Sequence, residues 1–131
     1  MAPADTVLVI RPDGTASFVD WPADDEGRRA VVAAQVGPST TMRRCGKGIL
    51  GFAAEPVAGR HEGTGGEGAG DVPDDANAFA AAAYAEQGVQ LEAALHGPVL
   101  FARNPSKGSV VKPLTAAQAA NLLVVTGARL V

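Results

Sequence analysis

Short apolar runs separated by strong turn signals dominate the first fifty residues of the chain. Residues 6–10 are a β-branched apolar run, typical of a strand covered on both faces. The sequence Arg-Pro-Asp-Gly at 11–14 favours a turn, because proline presets φ and glycine accepts positive φ. Residues 15–19 then predict the second strand of a hairpin. Residues 39–44 and 49–53 predict a second hairpin around a glycine-containing turn.

Helical signals alternate with these strands. The first predicted helix enters near Trp21, carries acidic residues in its first turn, and ends at the Gly-Pro pair 37–38. We expect its buried side to be Val31, Val32, Ala34 and Val36. A second helix is capped near Asn77 and ends before Gly88.

The last third of the chain predicts one more strand and one more helix. Residues 98–102 form the strand, and residues 110–111 are expected to pair back onto it. Residues 89–95 are read either as a short helix or as a loop packed on the sheet. Thr115 begins the final helix, whose predicted core side is Leu122, Leu123 and Val124.

The segment 55–75 differs from the rest, since it is glycine-rich, acidic and nearly free of side chains that pack. We interpret it as a flexible loop or insertion. The remaining order of elements predicts one small α+β domain over 1–131. Its sheet is mainly antiparallel, with about five strands and about three flanking helices.

Composition excludes several classes of protein. Aromatic residues make up 5% of the chain and the net charge is −3, which argues against a nucleic-acid binder. A single cysteine, Cys45, excludes an internal disulfide and a cysteine-rich zinc site. No apolar run reaches the roughly 18 residues of a membrane span, and the N-terminus has no signal-peptide pattern. We therefore expect a cytoplasmic protein that does not enter a membrane.

Residues with catalytic potential are few and scattered. The histidines, His61 and His96, have no neighbour at metal-ligand spacing, and Cys45 is better interpreted as a small half-buried residue at a strand end than as a thiolate. The glycines at 46–51 resemble a phosphate loop, but their spacing favours a hairpin turn. The sequence therefore predicts a protein that is not an enzyme and that carries no cofactor or metal.

The densest cationic cluster offers a candidate anion site. It comprises Arg43, Arg44 and Lys47, with Arg11 and Arg103 as candidates to assist. Arginine's planar fork suits phosphate, and the turns and strand ends could bring these cations to one rim of the sheet. Alternation along a strand places Arg43 and Arg44 on opposite faces, so only one of them can face that rim. The alternative is a solvated edge strand that uses charge to deter pairing.

Several short motifs resemble one family of small domains. They are the opening run 7–14, the helix end at Val36-Gly37, Asn77-Ala78-x-Ala80, the strand 97–102 and Leu114-Thr115-x-x-Gln118. The family is the one catalogued as "domain of unknown function 3846", which phages, plasmids and other mobile elements carry. The resemblance spans most of the chain except the glycine-rich segment. It supplies no catalytic residues to carry over.

What the resemblance implies is a small accessory protein of a mobile element that acts by stoichiometric binding inside the host cell. One hypothesis is that it sequesters an anionic nucleotide-type signal of host defence. The alternative is a protein–protein inhibitor of a host defence enzyme that has no small ligand. Because a sheet of this size leaves strand edges exposed, we also expect a homo-oligomer, with a dimer preferred.

Overall fold

The computed structural model describes five stretches of the chain: 5–46, 48–54, 76–91, 95–104 and 111–131. The predicted flexible segment 55–75 and the predicted anion ligand Lys47 lie outside the described residues. In chain order the elements are β1 (Thr6–Ile10), β2 (Thr15–Asp20), α1 (Asp25–Gln35), β3 (Thr40–Arg44), β4 (Ile49–Ala54), α2 (Ala78–Glu86), β5 (Val99–Arg103), α3 (Ala116–Thr126) and β6 (Arg129–Leu130).

All six strands join one mixed sheet in the order β3–β4–β5–β1–β2–β6. The pairs are antiparallel except β2 with β6, which is parallel. The predicted α+β class, both predicted hairpins and a mainly antiparallel sheet are therefore confirmed. The sheet has one strand more than the five expected, because β6 is too short to show any periodicity in the sequence.

The middle of the sheet is apolar on both faces. Strand β1 is buried along its whole length, and so are Val99 to Ala102 in the adjacent β5. On one face α2 and α3 pack against a cluster that includes Leu8, Phe101 and Leu122. On the other face α1 lies over a smaller cluster, formed by Val7, Val9, Trp21, Leu100 and Ala102. The domain therefore has three layers, with two helices on one side and one on the other.

A missing side chain lets α2 sit close to the sheet. A Cβ at Gly51 of β4 would collide with the hydroxyl of Tyr84, so only glycine leaves room for this ring. Tyr84 is buried, and its ring centroid lies 6.0 Å from that of Phe101. The tyrosine thereby fixes the height of α2 above β4 and β5.

Asn77 joins three parts of the fold through one buried side chain. Its Oδ1 accepts from the backbone N–H of Ala80, which caps α2. Its Nδ2 donates to the carbonyl of Ile10 at the end of β1 and to that of Gly97 before β5, both at 2.9 Å. The predicted cap near Asn77 is confirmed, and it also ties α2 to the two central strands.

Two predicted helix faces need correction. Helix α1 begins at Asp25, behind an Asp24 cap that accepts from the N–H of Gly27, and Ala34 is exposed rather than buried. In α3 the predicted core residue Val124 is 79% exposed. It lies two positions from buried Leu122, about 200° around the helix, so both cannot face the sheet.

The structure also bears on two predictions about the segments before and after β5. Val89, Leu91 and Leu95 pack against the main core, and residues 89–91 are not helical, whereas 92–94 lie outside the described residues. The strand expected to pair back at 110–111 is represented by a single bridge between Arg103 and Lys112. Val110 itself lies outside the described residues.

We expect Asn77→Ala to lower the free energy of unfolding by about 3 kcal/mol, since it removes a helix cap and leaves one buried and one part-buried carbonyl short of a donor. Thr115→Ala is the matched control, because it removes the exposed cap of α3 and should cost about 1 kcal/mol. Urea unfolding of both variants measures the difference. Equal losses would contradict a special role for Asn77.

Candidate functional site

The face of the sheet under α1 is only partly covered. The valines of α1, Val31 and Val32, together with Val36 just after it, pack against the smaller core cluster, yet no residue of this helix is fully buried. Phe52 of β4 packs at the margin of the same cluster and keeps part of its surface exposed. The incomplete cover leaves an opening between α1 and the β3–β4 side of the sheet.

An open cleft of about 430 Å³ occupies this position. Small-molecule sites in proteins usually measure roughly 300–1,000 Å³, so the cleft matches a small ligand. The residues that line it come from α1 and its flanks, from β3, from β4 and from the chain before α3: Trp21, Asp25, Arg28, Arg29, Val32, Ala33, Gly37, Pro38, Thr40, Phe52 and Val111.

Two hydrogen bonds hold Trp21 in the apolar part of the cleft. Trp21 is 7% exposed, and its indole Nε1 donates to the carbonyl of Val111 at 2.9 Å. The same tryptophan donates its backbone N–H to the carbonyl of Asp5. Trp21 and Val111 both line the cleft, so the hydrogen bond between them fixes part of its wall. Phe52 adds a partly exposed aromatic ring beside it.

Arg28 is a structural part of the rim. Its guanidinium bonds to the carboxylate of Asp25 at 2.7 Å and to the carbonyls of Pro22 and Ala23 at 3.2 and 2.6 Å. These contacts fasten the segment before α1 to the first turn of the helix. The hydrogen bond and charge of Arg28 lower the pKa of Asp25, so this carboxylate is ionised and paired at neutral pH.

Arg29 is the cation that remains available. It is exposed, and its charge contributes to the lowered pKa of Asp25, but it makes no hydrogen bond or close ion pair with any residue that the structure describes. Two arginines and one aspartate leave the lining of the cleft with one net positive charge. The cleft thus combines an apolar wall, the Thr40 hydroxyl and one uncommitted guanidinium.

The predicted anion-binding residues are only partly brought together. Arg43 pairs with Gly51 and Arg44 with Leu50, so the two lie on opposite faces as alternation requires. Arg44 is exposed on the face that carries the cleft, and Arg43 is half-buried on the α2 side, where its charge acts on Tyr84. Whether any of these residues binds an anion stays a prediction.

The two ends of the sheet separate the remaining candidates. Arg103 lies at the same end of the sheet as the β3–β4 turn, since it pairs with Ile49 and the N–H of the next residue, Asn104, donates to the carbonyl of Gly48 at 2.9 Å. Arg11 lies at the opposite end, where its guanidinium donates to the hydroxyl of Ser17. The reason is strand direction, since β1 and β4 are both antiparallel to β5 and therefore run in the same direction. The turn that carries Arg11 follows β1, whereas the β3–β4 turn precedes β4, so the two turns lie at opposite ends of the sheet. Arg11 therefore does not share a rim with the others.

Cys45 is a core residue, not the half-buried residue that the sequence favours. It is fully buried, and burial raises the pKa of its thiol to about 11. The glycines around it form the β3–β4 turn, where Gly46 and Gly48 have positive φ, so the hairpin interpretation of 46–51 is confirmed over a phosphate loop. Among the described residues, no three His, Cys, Asp or Glu side chains lie close enough to hold a metal ion.

Comparison with known proteins adds nothing to this site: no family model, no curated protein and no solved structure matches the chain. Within the described residues, no helix is both long enough and apolar enough to cross a membrane.

The residues that sequence reasoning missed are Arg28, Arg29, Trp21 and Phe52. Adjacent arginines in the second turn of an acidic-capped helix, shortly after the only tryptophan, are the visible signal. Phe52 also stands out, because it alternates with Ile49, Gly51 and Ala53 and so belongs to the other face of its strand. The distance between these segments in the sequence hides that they meet.

We expect the free energy of unfolding to fall as the pH rises from about 9 to about 11. The pKa of the Cys45 thiol is raised from 9.0 to about 11 in the fold, and burial also raises the pKa of Tyr84. A raised folded pKa means that the contribution is fully present below the unfolded value and is lost as pH climbs through the folded one. Urea unfolding at several pH values measures this.

The matched control is Cys45→Ala, which removes one titrating group. Its free energy of unfolding should fall less steeply over the same pH interval, whatever its stability at neutral pH. An unchanged slope would show that the thiol does not contribute to the alkaline loss.

Proposed function

We propose that this protein is a small non-enzymatic binding protein, which captures one amphipathic anion per chain in the cleft under α1. The observation that carries the proposal is the pairing of a preformed apolar wall with one uncommitted arginine, Arg29. A ligand that buries a flat or apolar part against Phe52 and directs an anionic group to Arg29 satisfies both features.

A nucleotide-type compound is the ligand class that fits best. A base offers a flat face for the aromatic side of the cleft, and a phosphate accepts the planar fork of an arginine. The single net positive charge favours a ligand that presents one phosphate group to the rim rather than a polyanion. Thr40 supplies a hydroxyl for a further polar contact.

The chemistry of the lining supports binding rather than turnover. Its one carboxylate, Asp25, is held in an ion pair with Arg28, and arginines do not exchange protons near neutral pH. A general acid or base needs a pKa near the working pH and access to the reacting atom. We therefore propose stoichiometric capture, without a cofactor.

The biological setting rests on the family resemblance alone. An accessory protein of a phage or mobile element, working in the host cytoplasm, would use such a cleft to sequester a nucleotide-type signal of host defence. Inhibition of a host enzyme through a protein surface is the alternative if no small anion binds.

Titration calorimetry with a panel of mononucleotides, cyclic nucleotides and inorganic phosphate tests the cleft. We expect a nucleotide to bind at one per chain, and Arg29→Ala to weaken it about ten- to a hundredfold, the value of one charge-assisted hydrogen bond of roughly 1.5–3 kcal/mol. Arg129→Ala is the matched control, since this exposed arginine lies at the opposite edge of the sheet.

Two results would contradict the proposal. One is equal affinity of the Arg29 and Arg129 variants, which would place the ligand elsewhere, and the other is no binding by any nucleotide. Mass spectrometry of the recovered nucleotide checks the non-enzymatic part, because we expect the compound to be intact after long incubation.

A further inference from the structure

Strand β3 forms one edge of the sheet, and its outer side pairs with no strand among the described residues. It is a regular strand of five residues without proline, whereas β6 at the other edge has two residues. A long edge strand presents unpaired N–H and C=O groups in register, which is a template for another strand. The edge at β3 is therefore the better place for a second chain to add.

Met42 stands at the middle of this edge. It is 55% exposed, and it lies opposite Phe52, so it continues the apolar surface of the cleft face to the rim of the sheet. Its neighbours along β3 are threonines on one side and arginines on the other. An exposed methionine between polar residues marks the one apolar contact that this edge offers.

We propose that two copies of this chain pair antiparallel through β3, with the two-fold axis at Met42. Each Met42 then lies opposite Met42 of the partner subunit. Thr41 lies opposite Arg43 and Thr40 opposite Arg44, so all five residues pair and no like charges face each other. The sheet continues unbroken across the dimer.

The other two-fold registers are poorer. Opposite residues must lie on the same face, so the axis can move only in steps of one residue along β3. An axis at Arg43 sets this arginine against its own copy, which is destabilising. An axis at Thr41 pairs three residues of the strand and places Arg44 against Pro38, which has no N–H to donate.

The dimer changes the cleft. Thr40 lines the cleft, and Arg44 of the partner subunit lies opposite Thr40 on the same face. Each cleft thereby gains a further arginine at its mouth, from the other chain. This consequence rests on the proposed function, whereas the pairing of the strands does not. It also gives the predicted anion ligand Arg44 a place at the site.

Cysteine cross-linking tests the register. Met42→Cys should form an intermolecular disulfide under a mild oxidant, because its two copies face each other. Thr40→Cys is the control on the same strand and face, since its copies are four residues apart, roughly 13 Å. The unaltered chain should not cross-link, because Cys45 is fully buried. Non-reducing electrophoresis reads all three.

Equal cross-linking of the two variants, or none for Met42→Cys, would overturn the register. Light scattering provides the independent measurement. A monomer mass for the unaltered chain at tens of micromolar would overturn the dimer, and a strand of another protein would then be the candidate to pair with β3. Met42→Lys sets two like charges opposite each other, so it should convert a dimer to a monomer. Val124→Lys, on the exposed side of α3, should not.

Calorimetry with the mononucleotide that binds best then tests the shared cleft. Arg44→Ala should weaken binding about tenfold, whereas Arg43→Ala should leave the affinity unchanged. A Met42→Cys cross-link without nucleotide binding would refute the proposed function and keep the dimer. Binding without a cross-link would refute the dimer and keep the proposed function.

Discussion

The burial of β1 on both faces is the constraint on which the rest of the structure depends. Val7 to Ile10 are fully buried, so the chain must supply cover on both sides of the sheet. Two helices, α2 and α3, complete one side, and α1 alone covers the other. An α-helix is about 10–12 Å wide with its side chains and adjacent strands are about 4.8 Å apart, so one helix spans two or three of six strands. The cleft beside Phe52 is the part of the sheet that α1 does not reach.

The two arginines of α1 show how neighbouring identical residues come to differ in role. Arg28 faces the segment before the helix and donates hydrogen bonds to Asp25 and to two backbone carbonyls, so it stabilises the start of α1. Arg29 is one position further, about 100° around the helix, and has no such partner in the described part of the chain. The structural arginine holds the helix end in place beside the cleft, which fixes where the available one is presented.

The elements of this fold could be predicted from local patterns, whereas the site could not. Turn residues and β-branched runs identify the hairpins, and the caps at Asn77 and Thr115 identify helix starts, because these signals act within a few residues. A rim shared by Arg11 and the β3–β4 turn was expected, but it depends on the order of strands in the sheet. Placing β5 between β1 and β4 sends the two turns to opposite ends, and nothing local encodes that order.

Strand alternation accounts for both the part of the candidate site that was predictable and the part that was not. It requires that Arg43 and Arg44 separate, and they do, but it does not say which of the two faces carries a cleft. That depends on α1 packing on the face of Leu50 and Phe52. The valines of α1 pack against the smaller core cluster on this face, and the hydrogen bond from Trp21 to Val111 holds the chain before the helix there. With the cleft on that face, Arg44 and Met42 share it at the edge strand, and Arg43 is left beside Tyr84 in the other layer. Two neighbouring arginines that form one cluster in the sequence are thus divided between the face that carries the cleft and the face that packs against α2.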